Sequence, residues 1–262
     1  DSFSILISQT NAFILAYDDL NPLETEVFTA ISQTLLPPKE IRYIYSHPDE
    51  FEGNYVDSIS EFDLILCYQD LILKNINKIR YHSKFDPRTI QSLLILDSDL
   101  SIVTSDDFKL VNFSLDEKSG GTYRSRISIM HYTDLIIYNF LHPEKQIENP
   151  SVYSVLESDG FYAIHTIKSN SQTKYVLLAY VRGCSYCFET SIQLVSFNDG
   201  TFNQDFYYSV NSRMWDETLV YNPNTKTIFI NYFTDDLTPE CNCSNDEEYL
   251  EDDNYFAPSK VD

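Results

Sequence analysis

The sequence predicts an α+β, β-rich fold: a mixed α/β N-terminal portion over residues 1–90, then antiparallel β-sheet meanders over 91–234 in a sandwich or propeller-like arrangement. Three observations carry this. Between Tyr153 and Thr234, apolar and β-branched runs alternate with turn residues at short, even spacing. The aromatic load is 20 Tyr and 17 Phe against one Trp, and flat rings pack well on a pleated face. Near the N-terminus, by contrast, one segment has helical rather than two-residue periodicity. A third region, the acidic, cysteine-containing tail over 235–262, follows the strands.

Taken in order, "FSILIS" and "AFILAY" read as strands. "NPLETEVFTAISQTLLPP" reads as the helix. Asn21 can cap it, Pro22 suits a first helical position, and Glu24 sits where a capping-box acid belongs. Leu23, Val27, Ile31 and Leu35 recur every four residues, and Pro37-Pro38 would end it. "IRYIYS" reads as another strand. "SEFDLILCYQDLILKNINKIRYHS" fits either a helix or a buried strand leading into a shorter helix. From "SLLILDSDLSIVTSDDFKLVNFSL" onward the reading is strands and turns, through "RISIMHY", "GFYAIHTI", "KYVLLAYVRG", "ETSIQLVSF", "DFYYSV", "ETLVYN" and "TKTIFINYF". "TDLIIYNFLH" suits strand or short helix. Asn198-Asp199-Gly200 and Asn222-Pro223-Asn224-Thr225 supply turn chemistry, because Asn, Asp and Gly accept positive φ at low cost. No clean repeat is present, which weakens the propeller option.

A formal charge of −22 argues against direct binding to nucleic-acid phosphates or anionic lipid. It leaves room for a basic partner, a cation or mimicry of a polyanion. No transmembrane segment is expected, since the longest apolar run, Tyr175 to Val181, is far shorter than the roughly 20 residues needed to span a bilayer. The first residue, Asp1, reads as the start of a product from which a leader has been removed, and so favours export. Two glycosylation sequons occur, at Asn112 and Asn242.

The cysteines sharpen the expectation of export. Cys184 and Cys187 form a C-x-x-C, Cys241 and Cys243 a C-x-C, and Cys67 stands alone in an apolar run. Four thiolates in two close pairs suit either disulfides or a tetrahedral zinc site. A thioredoxin-type redox pair needs its first cysteine at a helix N-terminus, and Cys184 lies between two strand-like segments. Disulfides linking, or within, the two pairs are the favoured reading; zinc and free thiols are the alternatives. One bridge closing a loop of about 55 residues would be worth about 4 kcal/mol in the loop-entropy model.

A hydrophobic strand ending in Asp97-x-Asp99, inside "SLLILDSDLSIVTSDD", is similar to the motif of metal-dependent nucleotide-sugar glycosyltransferases. "FILAYDD" and "IRYIYSH" upstream resemble the nucleotide-binding start of that family. The resemblance covers at most residues 12–110. It implies that Asp97 and Asp99 share a Mn²⁺ or Mg²⁺ that neutralises a leaving diphosphate. No acceptor-site signal or second metal ligand follows Asp99.

Other clusters have plainer readings. "EKSGGTYRSR" sets Gly120-Gly121 among Lys118, Arg124 and Arg126, and reads as a flexible, positively charged loop rather than an anion cradle. Lys74, Lys78, Arg80, Lys84 and Arg88 are the densest bases in the chain, read as offsetting nearby acids. His47, His82, His131, His142 and His165 lack metal-ligand spacing. Trp215, with Phe206, Tyr207, Tyr208 and Tyr221, suits a stacking platform for a sugar or a partner, or a filled core.

The functional expectation is a secreted, periplasmic or cell-surface binding protein without catalytic activity or cofactor, recognising a protein or glycan. The alternatives are the metal-dependent glycosyltransferase-like enzyme, and an acidic mimic that blocks a basic nucleic-acid-binding protein.

Overall fold

The computed structural model describes residues 2–23, 27–47, 50–51, 57–95, 99–120, 125–133, 160–169, 172–183, 187–198, 201–212 and 219–231. The fold is α+β with a β-rich C-terminal portion. The chain divides into two compact units, Asp1–Ile102 with Leu115–Gly121, and Val103–Ser114 with Thr122–Asp262.

The first unit is helical where the sequence suggested strands. "FSILIS" and "AFILAY" are parts of one helix, α1 (Ser2–Asp18). Phe3, Ile7, Thr10, Ile14 and Tyr17 recur at three- and four-residue steps and are all buried. The intervening Gln9-Thr10-Asn11 contains neither Gly nor Pro, so nothing local stops the helix. The expected helix after Asn21 is replaced by a short strand, β1 (Phe28–Ala30), and a 3₁₀ turn, Ile31–Gln33. Asn21 does use its cap chemistry, but in a turn: its Oδ1 accepts the Leu23 N–H at 3.1 Å. β1 pairs antiparallel with β2 (Ser58–Ser60), Phe28 opposite Ser60, so a long-range ladder overrides the local periodicity.

Pro37 and Pro38 do not end a helix; they begin one. Pro38 is the first residue of α2 (Pro38–Ser46), which takes the place of the expected "IRYIYS" strand. Proline has no N–H to lose at that position and its φ is already helical. The ambiguous segment resolves as one helix, α3 (Glu61–Arg80). Ser60 caps it: Ser60 Oγ accepts the Asp63 N–H at 3.1 Å and donates to Asp63 Oδ2 at 2.8 Å. Leu64, Ile65, Tyr68, Leu71, Ile72, Ile76 and Ile79 are buried on α3. Each such aliphatic side chain contributes about 1.5–3 kcal/mol of transfer free energy. α1 packs along this helix, with the Phe13 and Tyr68 rings 6.0 Å apart. A single turn, α4 (Ile90–Leu93), follows.

From Leu100 onward the strand expectations hold at every described segment; the expected strand beginning at "SLLIL" does not form, since Ser92 and Leu93 belong to α4 and the Leu94 N–H closes that turn on the Ile90 carbonyl. β3 (Leu100–Thr104), β4 (Leu110–Asp116) and β5 (Arg126–Tyr132) form a sheet in that order, and the chain passes between the two units within β3 and at the end of β4. β6 (Phe161–Ser169), β7 (Gln172–Arg182), β8 (Phe188–Asn198) and β9 (Thr201–Ser212) form an antiparallel meander. β10 (Leu219–Asn222) and β11 (Thr227–Ile230) form a hairpin. Asn222 Oδ1 organises its turn by accepting the N–H groups of Asn224 and Thr225.

The meander is buried on both faces. On one, Tyr175, Leu177, Ala179, Val195 and Phe202 pack with Leu110, Met130 and Tyr132. On the other, Val176, Leu178, Ile192 and Val210 pack under Leu219 and Tyr221 of the hairpin. This is why "KYVLLAY" is apolar without alternation. At the entry to β6, Gly160 has φ +83°, and a Cβ there would lie 2.3 Å from Ser114 Oγ, so only glycine fits. The segment "TDLIIYNFLH" lies outside the described residues beyond Thr133, as does the acidic tail.

Candidate functional site

Strand β9 occupies one end of the meander's strand order, and its middle reaches solvent on both faces. Asn203, Gln204, Asp205, Phe206, Tyr207 and Tyr208 are consecutive exposed residues. Phe206, Tyr207 and Tyr208 keep 43%, 44% and 38% of their surface open. A buried strand with this pattern would place apolar residues at 204 and 206 over the core.

The register explains the departure. Gln204 pairs with Val195 and Phe206 with Leu194, so Asp205 is the extra residue of a β-bulge. The bulge breaks strict alternation and re-aims the side chains around it. Asp205 Oδ2 meets Lys174 Nζ at 2.8 Å, an ion pair that fixes the bulge and balances its charge. Phe206 and Tyr208 then stand opposite Leu194 and Ile192 on the face carrying the hairpin. Tyr207 points to the other face, where its hydroxyl donates to Glu189 Oε1 at 3.2 Å. The result is three half-open rings beside two side-chain amides, on a rigid strand. Rings offer stacking faces and amides offer paired donors and acceptors, which is equipment for binding rather than for bond-breaking.

The residues singled out in the sequence fall in different places. Tyr207 is on this surface. Tyr221 is buried on the side of the hairpin that packs on the meander, its ring 5.3 Å from that of His165, and does not share a face with Tyr207. Trp215 lies outside the described residues. Cys187 is buried at the start of β8, and its carbonyl accepts the Gly183 N–H at 2.9 Å. Cys184, Cys241 and Cys243 lie outside the described residues. Burial, with Asp63, Glu40 and Asp70 nearby, pushes the Cys67 thiol up to about 12, so it stays protonated and unreactive.

Asp97 also lies outside the described residues, while Asp99 is buried and its Oδ2 meets Lys118 Nζ at 3.0 Å. Burial raises the Asp99 carboxyl to about 6, against the lowering pull of Lys118. The Lys118 ammonium also donates to the carbonyls of Asp18 and Leu20, tying down the end of α1. Lys118 is thus a buried clamp rather than part of an open basic loop, and Arg126 donates to the Ser114 carbonyl in the same inward manner. Arg80, read as one of a basic set that offsets nearby acids, is buried as well, with its guanidinium 4.2 Å from the centre of the Tyr81 ring. Among the described residues no group of three or more His, Cys, Asp or Glu side chains is placed to hold a metal ion. Among them, no helix is long and apolar enough to cross a membrane. The Asn112 sequon is internal, with Asn112 and Ser114 fully buried in β4.

Asn203, Gln204 and Asp205 were not singled out in the sequence. The signal that marks them is "TFNQDFYY", three polar residues in a row within a strand whose neighbours are apolar. No protein-family model matches the chain, and neither a curated protein nor a solved structure does.

Proposed function

We propose that the protein is a non-catalytic binding protein, exported to the cell surface, periplasm or medium, that recognises a glycan or protein partner through β9. The observation that carries this is the run of six exposed residues, Asn203 to Tyr208, on a strand bulged at Asp205 and pinned by Lys174. An exposed aromatic group with flanking amides on a rigid element matches what sugar rings and protein hot spots both require. The export half of the proposal rests on the two cysteine pairs.

The test is a glycan and protein array probed with the wild-type chain and with Phe206→Ser/Tyr208→Ser. The expected result is a defined set of ligands bound by the wild type and weakened at least about tenfold in the double variant, with circular dichroism unchanged. Ligands bound equally by both proteins would show that β9 is not the site.

A further inference from the structure

The exposed end of α2 carries a second arrangement, in the other unit, that stands whether or not β9 binds anything. Tyr43 stacks on His47 one helical turn later, with ring centroids 4.1 Å apart and planes inclined by 23°. His47 is locked in place. Its backbone N–H donates to the carbonyls of Tyr43 and Ile44, and its Nδ1 lies 2.9 Å from Ser46 Oγ and 3.1 Å from the Tyr43 carbonyl. The Glu50 N–H donates to the His47 carbonyl at 3.1 Å. Glu50 Oε2 lies 2.7 Å from the Tyr43 hydroxyl, which donates to it. The Phe51 ring lies 6.2 Å from that of Tyr43, at 85°.

We propose that this corner, formed by Tyr43 and Phe51 at right angles with Glu50 at its rim, binds a methylated ammonium group. Three independent features favour a cation there. Two aromatic rings meet there, Tyr43, one face of which is covered by His47, and Phe51 at a right angle to it. Glu50 supplies a full negative charge. Tyr43 lies in the last turn of α2, the negative end of the helix dipole. The Tyr43 hydroxyl is held above its ordinary range, first by its hydrogen bond to Glu50. Tyr43 is 45% exposed. A methylated ammonium suits it better than a primary one, because methyl groups weaken hydration and give the rings apolar surface to touch. A chain of net charge −22 adds long-range attraction.

The experiment titrates the full chain with tetramethylammonium and with choline at constant ionic strength, following Tyr and Phe proton resonances. The neutral isostere 3,3-dimethylbutan-1-ol is the control. Both cations are expected to saturate, and the neutral alcohol to bind at least about fivefold more weakly. Phe51→Leu, which keeps apolar bulk but removes the π-face, is expected to weaken binding about fivefold, and Glu50→Gln about threefold. Trimethyllysine amide and phosphocholine form the two further arms. Tighter binding of the first assigns the source to a modified side chain, and of the second to a choline headgroup. No saturation up to about 100 mM, equal binding of the neutral alcohol, or undiminished binding by Phe51→Leu would overturn the proposal.

Discussion

Asp99 and Lys118 form a buried pair in which desolvation works against the carboxylate more strongly than the ammonium supports it. The folded chain holds the Asp99 proton up to about pH 6, against an ordinary value of 3.8. Between those values the folded state binds more protons than the unfolded one. The stability contributed by this group is therefore fully present below about pH 4 and is lost as pH rises through about 6. Asp116 and Asp18 lie close enough to push the same way. Asp99→Asn removes the titration, so the wild type is expected to lose up to about 3 kcal/mol relative to the variant between pH 4 and pH 7. Urea unfolding across that range checks it, and parallel stability curves for the two proteins would refute the assignment. None of this was visible in the sequence, where Lys118 sits beside Ser119 and two glycines and looks exposed. A clamp on the carbonyls of Asp18 and Leu20, about a hundred residues away, leaves no local trace.

At the scale of elements, Ser60-x-x-Asp63 starts α3 with a reciprocal pair of hydrogen bonds. Ser60→Ala should cost about 1 kcal/mol, and Ser60→Asn should restore most of it. Denaturant midpoints of the three proteins give the answer; an unchanged midpoint for Ser60→Ala would mean that packing alone sets the start of α3. This signal was present in "SEFD", yet the segment stayed open between helix and buried strand, because its apolar run suits both. The strands from β6 to β11 were legible, because two-residue alternation, buried runs and Asn-rich turns are local properties. The region from residue 3 to 46 was not. The apolar stripe of 23–35 is a sound helix pattern, yet Val27 to Ala30 lie against β2, where the Val27 carbonyl accepts the Glu61 N–H at 3.0 Å. Likewise α1 gains its burial from α3, more than fifty residues further along the chain. Where two registers are locally acceptable, the distant partner chooses.

For the molecule as a whole, the charge of −22 sets the kinds of partner to expect, favouring cations and neutral ligands over phosphates. It fits both proposed surfaces, one neutral and one that attracts cations. The proposed export adds a chemical prediction. Cys184, Cys187, Cys241 and Cys243 are expected to resist alkylation in the unreduced protein and to react after reduction, with Cys67 labelled only on unfolding. Reduction should lower stability by about 4 kcal/mol if a bridge joins the two pairs. Mass mapping decides it, and four alkylatable thiols, or a zinc ion released on denaturation, would withdraw the case for export.

The sequence by itself determined the β-rich second half, its turns, the acidity and the aromatic supply, since these depend on composition and on residues close together along the chain. Only the tertiary structure decided that Tyr221 is covered while Phe206, Tyr207 and Tyr208 are open. Strand alternation assigns a residue to a face but not what covers that face; the hairpin and the bulge at Asp205 do that. The same holds for Tyr43, Glu50 and Phe51, which the structure brings together through a hydrogen bond and a ring contact that the sequence does not reveal.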